Sequence, residues 1–169
     1  TRTACAFDGP CSIRYPKSAV SLPEGYSVSS FEIGKWLTLR EGTDAVILAV
    51  GSMVATALRV AEALAQDGIS LTVVNASTVK PLDMECLRRV FEMERQIFTL
   101  EEHVRMAGFG SSVLEAASEM GFQPWVKLLA VDDYFVPHGD HAHLLRDTGL
   151  DDESVIRTIR TELNREEST

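Results

Sequence analysis

Asp44-Ala45-Val46-Ile47-Leu48-Ala49-Val50-Gly51-Ser52 is the stretch on which the fold turns. Its apolar run is continuous rather than alternating and rich in β-branched side chains. Gly51-Ser52 closes it, as expected of a strand buried on both faces of a parallel sheet. Downstream, Val54, Leu58, Ala61 and Leu64 recur at helical spacing until Asp67-Gly68 stops them, and residues 69–74 form a second apolar strand. Strand, helix, strand is the crossover unit of a parallel sheet.

The alternation continues to the end of the chain. Lys80-Pro81-Leu82-Asp83 leads into a helix with Asp83 as its N-cap and Leu87, Val90 and Phe91 on its inward face. Residues 97–100 read as a third strand, 110–120 as a third long helix and 125–131 as a fourth strand. Helices near 141–148 and 152–163 follow, the second capped by Asp151. This order predicts an α/β fold: a three-layer open, mostly parallel sheet with helices on both faces.

Upstream of Asp44 the pattern dissolves. Residues 18–43 hold no sustained period and are punctuated by Pro23, Gly25, Gly34 and Gly42, so they read as a linker with short strands near 26–29 and 36–39. Ala4-Cys5-Ala6-Phe7 reads as a last helical turn stopped by Asp8-Gly9-Pro10, and residues 11–15 as a short strand before Pro16. Arg2, Arg14 and Lys17 face only Asp8 in this region, a positive excess on an otherwise acidic chain. The expected division is therefore 1–20 as the edge of another domain, 21–43 as linker and 44–169 as the main domain.

The 169 residues carry 16 Lys plus Arg against 25 Asp plus Glu, a formal net charge of −9, with 45% hydrophobic residues. That is the balance of a globular protein with one principal core. A net-acidic surface disfavours nonspecific nucleic-acid or anionic-membrane partners, which require basic faces. The longest apolar run, residues 45–50, is too short to cross a bilayer, and no signal segment is legible; the sparse cysteines, fit for no disulfide scaffold, make a reducing cytoplasm the expected setting. Cys5, Cys11 and Cys86 lack CxxC spacing and read as small buried or half-buried residues.

Four features could carry chemistry. Gly108-Phe109-Gly110 opens a helix after a strand, as a dinucleotide site would, but Val113 stands where a third glycine belongs. The loop 101–107 is also long for a pyrophosphate turn, and the second strand ends in Asn75, where a ribose-binding carboxylate is wanted. Glu101-Glu102-His103 follows a strand end, where open sheets place ligands. Neighbouring strand residues point to opposite sides, so one glutamate is expected to fix the glycine loop and the other to be solvated. His138, Asp140, His141 and His143 could suggest a metal, but the spacing of two between His141 and His143 does not align them on a helix. Arg14, inside the early strand, suits a bidentate carboxylate or phosphate, and chemistry alone leaves a structural ion pair and an anion clamp both open.

Gly9-Pro10-Cys11-Ser12-Ile13-Arg14-Tyr15-Pro16-Lys17, Ile33-Gly34-Lys35 and residues 44–52 resemble the 1-deoxy-D-xylulose-5-phosphate synthases of the transketolase superfamily. So do Lys80-Pro81-Leu82-Asp83, Thr99-Leu100-Glu101-Glu102-His103, Gly108-Phe109-Gly110-Ser111 and Phe135-Val136-Pro137-His138-Gly139, in the same order. Together they cover the end of that family's middle, pyrimidine-binding domain and the whole of its carboxy-terminal domain.

The resemblance implies a thiamine-diphosphate transferase that joins pyruvate to D-glyceraldehyde 3-phosphate with loss of carbon dioxide, on the route to isoprenoids. In that family magnesium, diphosphate and the activating carboxylate belong to the first two domains. This chain is accordingly expected to hold no cofactor, metal or catalytic residue, to be inactive alone, and to partner the enzyme's remaining domains in a homodimer. Arg14 matches the family's contact with the aldehyde's phosphate, although Lys17-Ser18 stands where the family has Arg-Gly. Other readings are a split transketolase, a 2-oxoacid dehydrogenase subunit, and a free-standing nucleotide-binding or interaction module.

Overall fold

The computed structural model describes residues 2–13 and 32–166. In chain order the elements are α1 (Arg2–Ala6), β1 (Leu37–Arg40), β2 (Ala45–Ala49), α2 (Met53–Ala65), β3 (Leu71–Asn75) and α3 (Met84–Glu92). They are followed by β4 (Gln96–Val104), α4 (Phe109–Glu119), β5 (Val126–Val131), α5 (His141–Asp147) and α6 (Asp152–Glu166). The strands form one sheet in the order β1-β3-β2-β4-β5. β2 pairs in parallel with both β3 and β4, β4 pairs in parallel with β5, and only β1, at the edge, runs antiparallel.

Two cores follow from the two-residue period of the central strand. Ala45, Ile47 and Ala49 of β2 point into a layer built with α2 and α6, where Leu58, Leu64, Val155 and Ile159 meet Phe98 and Leu100. Val46 and Leu48 point the other way, toward Leu87, Val90 and Phe91 of α3 and Val113 and Ala116 of α4. Every residue of β2 is buried, which is why its sequence shows no polar alternation.

The expected helix faces and the Asp83 cap are present. Asp83 Oδ1 accepts from the Cys86 N–H at 2.9 Å, and Oδ2 accepts from the Trp36 N–H at 2.8 Å. Trp36 is thereby fixed in the second core, its indole N–H donating to the Thr78 carbonyl at 2.8 Å and its ring lying edge-on to Phe109 at 5.7 Å. The strand expected near 36–39 is thus β1, part of the sheet rather than of a free connection.

Three expectations change. β4 continues to Val104, beyond the expected end at residue 100, because a register shift after Leu100 lets Val104 pair with Val131. Residues 101–104 are therefore strand rather than loop. Cys5 and Cys11 are exposed; only Cys86 is buried, where loss of hydration pushes its thiol pKa up and keeps it unreactive. Residues 11–13 form no strand, and Arg14, with the strand expected near 26–29, lies outside the described residues.

Candidate functional site

In this strand order the connection after β2 runs to β3 on one side and the connection after β4 runs to β5 on the other, so the topological switch lies between β2 and β4. Open parallel sheets present ligands at the carboxyl ends of strands at such a point. A crevice of about 430 Å³ opens there, lined by Val50, Gly51 and Ser52 after β2, by Glu101, Glu102 and His103 of β4, by the 107–109 turn with Ser112, and by Val79. A second hollow of about 490 Å³ lies at the opposite, amino end of β4 and β5, between Phe91, Phe122 and Trp125. The carboxyl-end crevice is the candidate site, because strand ends and helix starts converge on it.

The two glutamates behave as strand geometry requires. Glu101 is buried, with 3% of its surface exposed, and its carboxylate accepts from the Phe109 N–H at 2.7 Å and the Gly110 N–H at 2.8 Å. These are orphan donors of the first turn of α4, so the protein's own carboxylate occupies the place a bound phosphate would take. The glycines follow from the same packing. A Cβ on Gly108 would sit 2.4 Å from the Val104 carbonyl oxygen, and one on Gly110 would sit 2.6 Å from both Leu128 Cδ2 and Thr99 Oγ1. Gly108-Phe109-Gly110 is thus a close-packing motif and not a pyrophosphate cradle.

Glu102, on the other side of the strand, binds two partners the sequence kept apart. Its carboxylate accepts from Ser52 Oγ and pairs with His141 Nε2. The acidic pair and the histidine-rich segment are therefore one cluster, with the carboxylate in the middle. Nucleophilic catalysis by Ser52 would need the imidazole against the hydroxyl, with the carboxylate behind the imidazole. Here the carboxylate takes both partners, and the His141 imidazole is not hydrogen-bonded to the Ser52 hydroxyl.

His143 turns to Asp140, with 3.6 Å between Nδ1 and Oδ2, and His138 is exposed in the preceding loop. Among the described residues, no three His, Cys, Asp or Glu side chains assemble in a form that could hold a metal ion.

The polar lining of the crevice is Ser52, His103, Ser112 and two carboxylates. Glu101 and Glu102 line it, and none of its lining residues is Lys or Arg. A diphosphate there would meet two carboxylates with no Lys or Arg to compensate, so the residues present do not fit thiamine diphosphate or a dinucleotide. Of the crevice residues, Ser52 and Val79 were missed from sequence. Ser52 was findable as the residue after the first strand's closing glycine, whereas no local pattern marked Val79.

Comparison with known proteins agrees with this geometry. The family described as "Transketolase, C-terminal domain" matches residues 34–155. Among curated relatives, the 1-deoxy-D-xylulose-5-phosphate synthase of Shouchella clausii is 40% identical over 156 residues, covering 92% of this chain and 25% of that protein. Its counterpart in Thermus thermophilus is 42% identical over 160 residues, covering 94% and 25%. The chain thus spans about a quarter of the length of these relatives.

A solved structure described as "Split gene transketolase, inactive beta4 tetramer" superposes with a TM-score of 0.73 at 35% identity, over 85% of this chain and 46% of that one. The transketolase from Leishmania mexicana, at 18% identity and a TM-score of 0.59 over 77% of this chain and 18% of its own, shares the fold. With the sheet order, the glycine turn closed by Glu101 and a match running through β1 to the start of α6, the chain belongs to the transketolase C-terminal domain family.

Proposed function

We propose that this chain serves as the C-terminal domain of a 1-deoxy-D-xylulose-5-phosphate synthase, supporting the thiamine-diphosphate-dependent joining of pyruvate and D-glyceraldehyde 3-phosphate without itself holding the cofactor. The observation that carries the reading is the Glu101 carboxylate on the first turn of α4. It converts the fold's ready anion site into a structural joint, which suits a scaffold whose chemistry lies elsewhere in a longer enzyme. The identity of about 40% to synthases over nearly the whole chain supports the assignment of the reaction.

In this reading residues 1–20 belong to the edge of the preceding, pyrimidine-binding domain, 21–43 connect it, and 44–169 form the C-terminal domain, although β1 ties the end of that connection into the sheet. Arg14, on the preceding domain's edge, is the one substrate contact, its guanidinium gripping the phosphate of the aldehyde. The intact enzyme would work as a cytoplasmic homodimer. The carboxylates of the crevice do not suit the cofactor's diphosphate.

The test is a chimaera in which residues 1–169 replace the matching stretch of the Thermus thermophilus synthase, supplied with thiamine diphosphate, magnesium and both substrates. Turnover with release of carbon dioxide is expected from the chimaera and none from the 169-residue chain alone. Product from the chain alone, or a dead chimaera, would overturn the reading. Replacing Arg14 by Met in the chimaera should lower kcat/KM for the phosphorylated aldehyde by about 30-fold, the worth of a charge-assisted bond. Pyruvate should be affected little.

A second reading rests on the split-gene relative: the chain would act as a separately encoded transketolase subunit. Restoration of two-carbon transfer from a ketose phosphate, without release of carbon dioxide, on mixing the 169-residue chain with a separately expressed transketolase cofactor-binding subunit would favour it.

A further inference from the structure

We propose that the hollow at the amino end of β4 and β5 is a binding site for a small aromatic zwitterion, a free aromatic α-amino acid, at the end of the sheet opposite the crevice. Its volume of about 490 Å³ falls within the roughly 300–1,000 Å³ that sites for small organic molecules occupy. Two connections wall it. Phe91, Glu92, Glu94 and Arg95 come from the end of α3 and its turn into β4, and Phe122, Pro124 and Trp125 from the connection between α4 and β5.

The charges of the wall carry the inference. Glu92, Glu94 and Arg95 bring both signs to one hollow, yet among the described residues none of the three joins an ion pair. The half-buried Arg95 is held instead by the Gly42 carbonyl, to which its Nη1 donates at 2.7 Å, and the rest of its fork of five donors is left for another acceptor. Glu94 has a φ of +52°, a left-handed position after α3 that favours glycine, so a carboxylate stands there against the backbone's preference. Unpaired charges of opposite sign around one space complement a ligand that carries both. A simple cation would leave Arg95 unmatched, and a phosphate ester would face two carboxylates.

The apolar wall selects the body of that ligand. Phe91 and Phe122 pack against each other with ring centroids 5.4 Å apart, while Trp125 is 52% exposed and offers ring surface that a second aromatic group would cover. An aromatic α-amino acid brings a carboxylate for Arg95, an ammonium for the glutamates and a ring for Trp125 in one small molecule.

Titration of the 169-residue chain with L-phenylalanine, followed by nuclear magnetic resonance, tests this. The indole N–H resonance of Trp125 should move and saturate with a Kd of about 1 mM, as suits a small ligand held by charges open to solvent, while that of the buried Trp36 stays. 3-Phenylpropionate, which lacks the ammonium, and phenethylamine, which lacks the carboxylate, should each bind at least about 10-fold more weakly. Arg95→Met should bring L-phenylalanine down to the affinity of phenethylamine, and Glu92→Gln with Glu94→Gln down to that of 3-phenylpropionate. The three compounds are compared on the unaltered chain, so the outcome does not hang on a variant that fails to fold. Equal affinity for the three overturns the proposal, as does a shift at Trp36 as large as that at Trp125, L-alanine binding as tightly as L-phenylalanine, or no saturation by about 10 mM.

Discussion

The turns after β2 and β4 look alike in sequence, each a strand running into glycine and serine at a helix start, yet they are built on opposite principles. After β4 the backbone is closed: Glu101 fills the helix's first N–H groups, and Gly108 and Gly110 leave no room for a side chain. After β2 it is open. Gly51 has a φ of +60° and nothing within 4 Å of the position its Cβ would take, and no side chain caps the N-terminus of α2. One glycine pair is required by close approach, the other glycine by its dihedral angle. The lesson is that a glycine at a helix start marks an anion site only when the N–H groups beyond it are free.

The sharpest way to break this contrast is Glu101→Ala. It strands two buried N–H donors at once, and each lost bond to a charged acceptor is worth about 1.5–3 kcal/mol, so a loss of about 3–4 kcal/mol is expected in urea unfolding. A cost under about 1 kcal/mol would show that the closed turn does not depend on its carboxylate. Gly110→Ala comes next, at about 2 kcal/mol, because the added methyl collides with Leu128 and Thr99. A crystal structure of that variant should show β5 displaced from α4.

Gly51→Ala probes the open turn and should cost about 1 kcal/mol, the strain of a left-handed backbone for an L-residue, with no displacement of neighbours. Glu102→Gln, at the exposed carboxylate, should change stability by no more than about 0.5 kcal/mol. Its proper readout is nuclear magnetic resonance, where the His141 ring should lose its carboxylate-dependent shift. A large loss of stability there would mean that the two turns are equally structural.

The smallest effect concerns the exposed Lys35–Glu85 pair, 2.8 Å apart, which ties residue 35 to α3. The hydrogen bond and charge of each partner lower the Glu85 pKa and raise that of Lys35. A depressed carboxylate pKa contributes stability that is present above its unfolded value and lost as pH falls through the folded one. A raised lysine pKa contributes stability that is present below its unfolded value and lost as pH rises through the folded one. The difference between wild type and Glu85→Gln should therefore be present near neutrality and vanish in acid and in strong alkali, in urea midpoints followed across pH.

Much of this contrast was legible before any coordinates. The split between Glu101 and Glu102 follows from the alternation of side chains along a strand, and the burial of one with solvation of the other was expected from that alone. The Asp83 cap followed from its place before Leu87, Val90 and Phe91. The length of β4 was not legible, because residues 101–104 carry Glu, Glu and His, and only pairing of Val104 with Val131 keeps them in the sheet. Nor was the Glu102–His141 contact, which joins residues 39 apart through a hydrogen bond that leaves no periodic trace.

The amino-acid sequence by itself determined the layers: a fully apolar β2, helices with one greasy face and stops at glycine admit few arrangements other than a covered parallel sheet. Which carboxylate would silence the helix start, which histidine would meet its neighbour, and that Phe135 would stand out in water were decided only by tertiary structure. Burial pattern is a local property of each segment, readable from its own period. The partners of polar groups depend on where strand ends from distant parts of the chain come together, and that is settled by strand order.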